Sequence, residues 1–579
     1  MEIIMKKYNT VQLKTPFESK AETWDIYPRP QMARDSYLSL CGEWDLSLQK
    51  YKEKEAAPLG KIKVPFPPES RISGIEKTIG EGDSFIYRKT FSVSSDFLIE
   101  KTFLHFGAVD QTASVTLNGE HLGAHTGGYL PFAFDVTEHI RVGENTLTVT
   151  VWDPLDPDIP YGKQRKKRGG MWYTPISGIW QNVWLESVPK NAFSSLRLTP
   201  TLQDITIEVE GGENEKTLVI ETKDGLLTHR FSGSQTTVRI EDPILWSPEN
   251  PHLYRFTLTD GKDTVRSYFA LRTIGVENTG GKNYLALNGK PYFFHGLLDQ
   301  GYFSDGIYLP ASPEGFRFDI RTMKSLGFNM LRKHIKIEPD VFYYECDKEG
   351  MIVFQDMVNS GKYSFLLDTA LPTVGMKKGI THKATPKRKQ LFEKACEETI
   401  RLLYNHPCVC YYTIFNEGWG QYEADRLYDF CKSMDPERIF DTTSGWFEEK
   451  KSDVKSEHIY FKKLDLKESE RPLVLSEFGG YSLKIRDHSF NLDNTYGYRF
   501  FDDREAFTQA IEKLYTDEVA SMIERGLCAA VLTQVSDVED ETNGLLTYDR
   551  QILKIDPERM RIVSETVFNT FEENISRKS

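Results

Sequence analysis

The sequence predicts a multidomain chain: a β-sandwich of jelly-roll type over residues 1–190, an immunoglobulin-like β-sandwich over 191–275 and a (β/α)8 TIM barrel over 276–579. Three observations predict it. The first 190 residues read as short β segments between turns, with no helical period. The next stretch keeps that pattern for the length of one small sandwich. Near residue 276 the pattern changes to short apolar runs alternating with helical stretches, the signature of βα units around a parallel sheet.

In the first region, Thr146-Leu147-Thr148-Val149-Thr150-Val151-Trp152 alternates as a half-buried strand does, and Asn118-Gly119 after Ala113–Leu117 is a tight hairpin signal. In the second, strands are expected near Ser195–Leu198, Ile205–Val209, Thr217–Thr222 and Tyr254–Thr259, with a loop at Trp246-Ser247-Pro248-Glu249-Asn250-Pro251. In the third, eight apolar runs are expected as strands: Tyr292–Leu297, Phe328–Arg332, Met351–Gln355, Val409–Phe415, Ile439–Thr443, His458–Phe461, Leu473–Ser476 and Ala529–Val535. A helix opens at Ser312-Pro313-Glu314 and closes at Gly327, and another runs through Lys387–Asn405 before Pro407. Eight alternations predict one barrel, whose chemistry belongs at the C-terminal strand ends.

Composition excludes several classes. The formal net charge of −13 does not suit a chain that tracks phosphate backbones, so nucleic acid is excluded as a partner. The one basic run, Lys163 to Arg168, reads as a solvated loop. No apolar stretch follows the lysines of Met1–Phe17 and no run of about 18 apolar residues occurs, so neither a secretory signal nor a membrane span is expected. The seven cysteines are odd in number and sit mostly in apolar segments, which points to reduced thiols in a cytoplasmic protein.

Two strand ends carry the chemistry. Tyr412-Thr413-Ile414-Phe415-Asn416-Glu417-Gly418-Trp419 closes the fourth apolar run, and Leu473-Val474-Leu475-Ser476-Glu477-Phe478-Gly479-Gly480 closes the seventh. Glycoside hydrolysis needs one carboxylic acid to protonate the leaving oxygen and a carboxylate across the sugar; in retaining enzymes the two stand about 5–5.5 Å apart. Either glutamate alone reads more simply as a helix cap or ion-pair partner, whereas the two together at one barrel mouth read as a catalytic pair. A working acid must be protonated, so Glu417 is expected in a partly apolar setting, with Phe415 and Trp419 as candidates for it.

These motifs resemble glycoside hydrolase family 2, which includes β-galactosidases, β-glucuronidases and β-mannosidases. Leu40-Cys41-Gly42-Glu43-Trp44, Val64-Pro65-Phe66-Pro67-Pro68-Glu69, Tyr87-Arg88-Lys89, Gly127-Gly128-Tyr129 and Gly178-Ile179-Trp180 are similar to its sugar-binding jelly roll. Asn283-Tyr284-Leu285-Ala286-Leu287-Asn288-Gly289-Lys290-Pro291 resembles its lead-in to the barrel. The resemblance implies Glu417 as general acid/base and Glu477 as nucleophile. It implies substrate-binding roles for Asn416 (to the sugar 2-hydroxyl), Tyr460 and His458 (at the sixth strand), and Arg332 and His334 (after the second). Trp446 is a candidate for stacking on a sugar and Asp356 for binding its hydroxyls. No cofactor and no metal are implied.

The resemblance thins at the sugar. His295-Gly296-Leu297-Leu298-Asp299-Gln300-Gly301 lacks the Asn, His and Glu of many members, and Phe354-Gln355-Asp356 looks like the mannosidase branch. Thr533-Gln534-Val535-Ser536-Asp537-Val538-Glu539 has no Trp where many relatives place one. The Asn-x-Lys pair of glucuronidases is not recognisable near Asn543-Gly544, and Lys336, Lys484, Arg486 and Arg550 read as exposed loop charge. The carboxylates of Asp537–Glu541 leave a structural cation open. The expectation is a retaining exo-β-glycosidase acting on terminal β-linked sugars of a carbohydrate or glycoside, a β-galactosidase first, with a β-glucuronidase or β-galacturonidase as the alternative. A non-catalytic carbohydrate-binding protein would have lost one carboxylate. The family's habit of assembling through its β domains leaves a homo-oligomer open.

Overall fold

The computed structural model describes residues 9–19, 23–373, 375–376 and 381–578; the reading of the N-terminus as free of a signal rests partly on residues 1–8, which lie outside them.

A six-stranded antiparallel sheet (Ala56–Val64, Gly42–Gln49, Ser84–Val93, Gly143–Trp152, Thr112–Leu117, Glu120–Thr126) and a four-stranded one (Leu38–Ser39, Val183–Val188, Lys101–Phe106, Phe132–Asp135) form the first sandwich. Strand Gly143–Trp152 buries every second residue, as the alternation predicts, and Trp44, Tyr87, Leu104 and Val149 fill the space between the sheets. Asn118 and Gly119 turn the hairpin with φ of 53° and 90°, the left-handed pair that a tight turn of this hand requires. The second sandwich sets three strands (Ser195–Pro200, Asp204–Glu210, Gln235–Arg239) over four (Gly225–Phe231, Lys216–Thr222, Tyr254–Thr259, Thr264–Phe269) around Ile207, Leu218 and Leu258.

All eight barrel strands form. In chain order they are Phe294–Asp299, Met330–Lys333, Ile352–Asp356, Val409–Asn416, Ile439–Ser444, Lys455–Ile459, Leu473–Gly479 and Leu527–Thr533. They pair in parallel in the order 5-4-3-2-1-8-7-6, leaving one seam without a ladder between strands five and six among the described residues. Helices Glu314–Ser325 and Pro386–Leu403 lie where their start and stop signals put them. The sixth strand begins at Lys455 rather than His458, directly after bends at 453–454. Between strands five and six, and between six and seven, the described chain runs without a helix. Segment 445–454 is too short for a helix with turns at both ends.

Buried polar contacts hold the parts together. Residues 9–19 and 23–34, expected within the first sandwich, also reach the barrel: Thr15 donates from its backbone N–H to Asp305 at 2.9 Å, and the Trp24 indole donates to the Pro310 carbonyl at 3.0 Å. Trp180, wholly buried, donates to the Gly128 carbonyl at 2.7 Å and meets the barrel's Tyr308 edge-on. Arg34 pairs with Asp263 of the second sandwich at 2.8 Å and lies 3.5 Å from Glu186 of the first.

Removing a buried partner strands the opposite charge, which costs about 3–5 kcal/mol. Arg34→Ala is therefore expected to lower the thermal midpoint by several degrees. Lys61→Ala, which removes an exposed pair with Asp45, is expected to leave it in place. Parallel calorimetric scans check both.

Candidate active site

The site grows from the C-terminal ends of strands two, three, four, six and seven. The Glu417 backbone is left-handed, with φ of 48°, and its N–H donates to the Ser444 carbonyl at 2.9 Å. That conformation costs a non-glycine residue about 1–2 kcal/mol, and it turns the side chain off the strand axis at the barrel mouth. Gly418 follows because a Cβ there would come within 2.5 Å of the Phe447 ring.

Arg332, 1% exposed, is the hub. Its Nε donates to Asp356 at 3.0 Å, Nη2 to Asn416 Oδ1 at 2.8 Å, and Nη1 to both Glu477 Oε1 and the Ser476 carbonyl at 2.9 Å. Asp356 accepts from His334 Nδ1 as well, at 2.8 Å, so both its oxygens are engaged and it is fully buried. The other oxygen of Glu477 accepts from the Tyr460 hydroxyl, which lies 3.0 Å from Thr533 Oγ1 and whose ring stacks on Tyr498 at 3.9 Å. Glu417 Oε1 lies 3.0 Å from His458 Nδ1, which is 3.5 Å from Glu477 Oε2. A carboxylate oxygen of Glu417 and one of Glu477 are within 4.8 Å of each other.

The electrostatics follow. Burial opposes charge on Glu477, but His458, Arg332, His334 and the Tyr460 hydrogen bond outweigh it and hold the carboxyl at about 2. Burial also opposes charge on Asp356, and Arg332 and His334 again win, so it stays below the usual carboxylate range. Burial, helped by Lys163, lowers His334 to about 4 and keeps it neutral near pH 7. Its Nδ1–H points at an acceptor-only carboxylate, which leaves Nε2 able to accept. Burial and then Glu477 push the Tyr460 phenol well up, so it remains a donor.

Glu417, His458 and Glu477 form a compact donor group, but the guanidinium of Arg332 already supplies the positive charge beside it, so we assign no metal there. Protein groups engage the acidic run at the end of strand eight: Asp537 Oδ1 pairs with Lys554 while its buried Oδ2 has no partner among the described residues, Glu539 and Asp540 meet Arg168, and Glu541 meets Tyr173 and Asn543.

The structure brings Glu417, Glu477, Asn416, Tyr460, Arg332, His334, Asp356 and His458 into one connected set. Trp446, half-buried, stands edge-on to His458 at 6.5 Å. Phe415 departs from expectation: alternation along its strand turns it outward onto Phe392 of helix Pro386–Leu403. Trp419 packs instead on Trp172 of the first sandwich, 5.3 Å between rings.

The basic run Lys163–Arg168 is not simply a solvated loop. Lys166 and Lys167 are exposed, but Lys163 is 7% exposed over the Trp419 ring at 5.4 Å, Arg165 lies over Trp172, and Arg168 reaches Asp540 at 3.2 Å. Lys336 and Arg550 are likewise buried rather than exposed. Lys336 bonds Glu338 at 2.8 Å, and Arg550 pairs with Asp319 at 3.1 Å. Sequence reasoning missed Lys163 and Trp172; Gly162 and Gly169-Gly170 around the run, followed by Met171-Trp172, were the available sign of a shaped loop.

Two glutamates on strand ends of a (β/α)8 barrel, behind two β-sandwiches, define a glycosidase scaffold. Three models of that scaffold match: the glycosyl hydrolase 2 galactose-binding domain-like model at residues 61–183, glycosyl hydrolases family 2 at 190–272, and the glycosyl hydrolases family 2 TIM barrel domain at 280–483. The chain belongs to glycosyl hydrolase family 2.

Among its relatives, a putative β-glucuronidase of Formosa agariphila is 27% identical over 62% of this chain and 34% of that protein. A β-galactosidase of Leuconostoc mesenteroides is 25% identical over 80% and 46%. The chain thus spans between a third and a half of the length of these curated relatives. Among solved structures, the β-glucuronidase of an uncultured Clostridium has a TM-score of 0.71 at 18% identity, covering 93% of this chain and 99% of that one. A β-galacturonidase of Eisenbergiella tayi scores 0.66 at 20% identity, covering 93% and 97%. Among the described residues no helix is long and apolar enough to cross a membrane.

Because the folded value of Glu477 lies below the ordinary carboxylate value, its contribution to stability is present above about pH 4.5 and is lost as pH falls toward 2. Glu477→Gln is expected to flatten the fall in melting temperature between pH 6 and pH 3 relative to the wild type. An equal slope in both proteins would contradict the assignment.

Proposed function

We propose that this chain is a retaining exo-β-glycosidase that hydrolyses terminal β-linked sugars through a covalent glycosyl-enzyme intermediate. The observation that carries this reading is the Glu417–Glu477 approach: carboxylate oxygens within 4.8 Å suit direct attack, whereas inversion needs carboxyl groups about 6.5–9.5 Å apart to admit a water. Glu477, held ionised and oriented by Arg332 and Tyr460, attacks the anomeric carbon. Glu417 protonates the leaving oxygen and then takes a proton from the water that releases the sugar. Asn416, with Oδ1 fixed by Arg332, presents its amide N–H to the 2-hydroxyl, and His334 Nε2 accepts from a neighbouring hydroxyl. Trp446, beside His458, is the candidate for stacking on the sugar ring. Asp356 acts through Arg332 and His334, since both its oxygens are occupied.

The glycone has two readings. β-Galactoside hydrolysis is supported by the β-galactosidases among the relatives. A uronide is supported by Lys163, which lies mostly within the fold on the face of Trp419 and forms no salt bridge among the described residues, with Glu541 and His334 near enough to feel its charge. A sugar carboxylate would give it a direct ion-pair partner. A cytoplasmic location and assembly through the β domains accompany the proposal, as in the expectation from sequence.

The test is turnover of aryl β-glycosides (galactoside, glucuronide, galacturonide, mannoside) by the wild type, Glu477→Gln and Lys163→Met. One glycone is expected to turn over, with Glu477→Gln slower by at least roughly 1,000-fold. If that glycone is a uronide, Lys163→Met raises KM about tenfold or more; if it is a galactoside, KM changes little. Full activity in Glu477→Gln would overturn the nucleophile assignment.

A further inference from the structure

Hydrogen-bond parity around His458 fixes a proton that the two-glutamate scheme leaves unassigned. Ser476 Oγ lies 3.3 Å from the Glu457 carbonyl, which only accepts, so its single hydrogen goes there. Ser444 Oγ, 3.1 Å from Ser476 Oγ, therefore donates its own hydrogen to that oxygen. Ser444 Oγ is also 3.0 Å from His458 Nε2. With its hydrogen committed it accepts, so Nε2 carries a hydrogen. Arg332 Nη1 is 3.3 Å from the same nitrogen but does not oppose this: its two hydrogens go to the Ser476 carbonyl and Glu477 Oε1, both at 2.9 Å.

Nδ1 then faces Glu417 Oε1 at 3.0 Å and Glu477 Oε2 at 3.5 Å. A bare Nδ1 against two carboxylates would bring acceptors together with no donor, so one proton occupies the gap. Glu477 already accepts from Arg332 and Tyr460 and is the poorer home for it. We propose that Glu417 and His458 hold one proton jointly, with the Ser444–Ser476–Glu457 chain anchoring Nε2–H so that Nδ1 always faces the acid. His458 is thus a positioning and proton-storing residue for Glu417. The inference rests on the functional reading above and deepens it.

The proton balance closes over a cycle. In the first step the bond from Glu477 Oε to the anomeric carbon forms, the glycosidic C–O bond breaks, and the leaving oxygen takes the proton that Glu417 shares with Nδ1. In the second, water attacks the anomeric carbon, Glu477 leaves as carboxylate, and the water's proton returns to the Glu417–His458 pair. The pair is neutral overall with its proton on either member, a neutral acid beside imidazole or a carboxylate beside imidazolium. The charged and titratable groups facing His458 are Glu417 on strand four, Glu477 on strand seven, Arg332 on strand two and Asp441 on strand five. Gly445 leaves the ring its place, since a Cβ there would come within 2.4 Å of it.

Removing one of the two acceptors removes part of what holds the shared proton in place. The experiment compares kcat/KM against pH for the wild type, His458→Asn and Ser444→Ala on two leaving groups, phenyl and 2,4-dinitrophenyl, of the glycone the protein accepts. With phenyl, His458→Asn is expected to lose roughly 100-fold and move its alkaline limb down by about one pH unit or more. With dinitrophenyl, which needs no proton, it is expected to lose less than about tenfold. Ser444→Ala is expected to move the limb the same way by less. An unmoved limb, or equal loss on both leaving groups, would overturn the proposal. Nitrogen-15 histidine spectra decide it without turnover. The histidine absent from His458→Asn is expected to show a protonated Nε2 in the wild type, and an unprotonated Nε2 would sink the idea. Silence on every glycoside would instead count against the functional reading alone.

Discussion

The site depends on one buried cation. Arg332 leaves strand two and reaches acceptors on strands three, four and seven: Asp356, Asn416 and Glu477 with the Ser476 carbonyl. A guanidinium out of water is costly unless its donors are matched, and here Nε and both Nη nitrogens are matched, with the carboxylates of Asp356 and Glu477 both paired to it. The planar fork fixes Glu477 in direction and keeps it ionised, and it fixes Asn416 beside Glu417. Lysine cannot reproduce this, because a point charge cannot span three strand ends at once.

Around that hub the barrel mouth is finished by another part of the chain. The loop carrying Lys163 and Trp172 comes from the first sandwich, and Trp172 stacks on Trp419, which stands two residues after Glu417. Arg168 on the same loop binds the acidic end of strand eight. The sandwich therefore reaches the barrel mouth beside Glu417 as well as flanking the barrel.

Much of this was legible in sequence and some was not. Period-two alternation at 146–152, the Asn118-Gly119 turn and the run of apolar segments after 290 each encode local structure, and each element forms. Glu417 and Glu477 were legible as carboxylates where apolar runs stop, and the structure sets their oxygens within 4.8 Å of each other. Long-range polar contacts left no periodic trace: the lysine of a basic run gives no sign in sequence that it lies over Trp419. Lys336 and Arg550 misled for the same reason, since burial of a cation depends on a distant partner, Glu338 or Asp319. Phe415 misled because its neighbours in sequence face the pocket while pleating turns it to the helix layer. The segments between strands five and seven read as βα units by analogy with the rest, and the chain there takes the shorter way round.

The proposed mechanism requires a carboxylate oxygen of Glu477 to bond to the sugar, with Glu417 across from it. The most direct test is to trap that bond by incubating the protein with a 2-deoxy-2-fluoro-β-glycosyl fluoride of the accepted glycone, digesting it, and locating the added mass. The account predicts a single glycosylated peptide, labelled at Glu477 and absent when Glu477→Gln is treated alike. A label on any other residue, or turnover that first releases the inverted anomer, would contradict it.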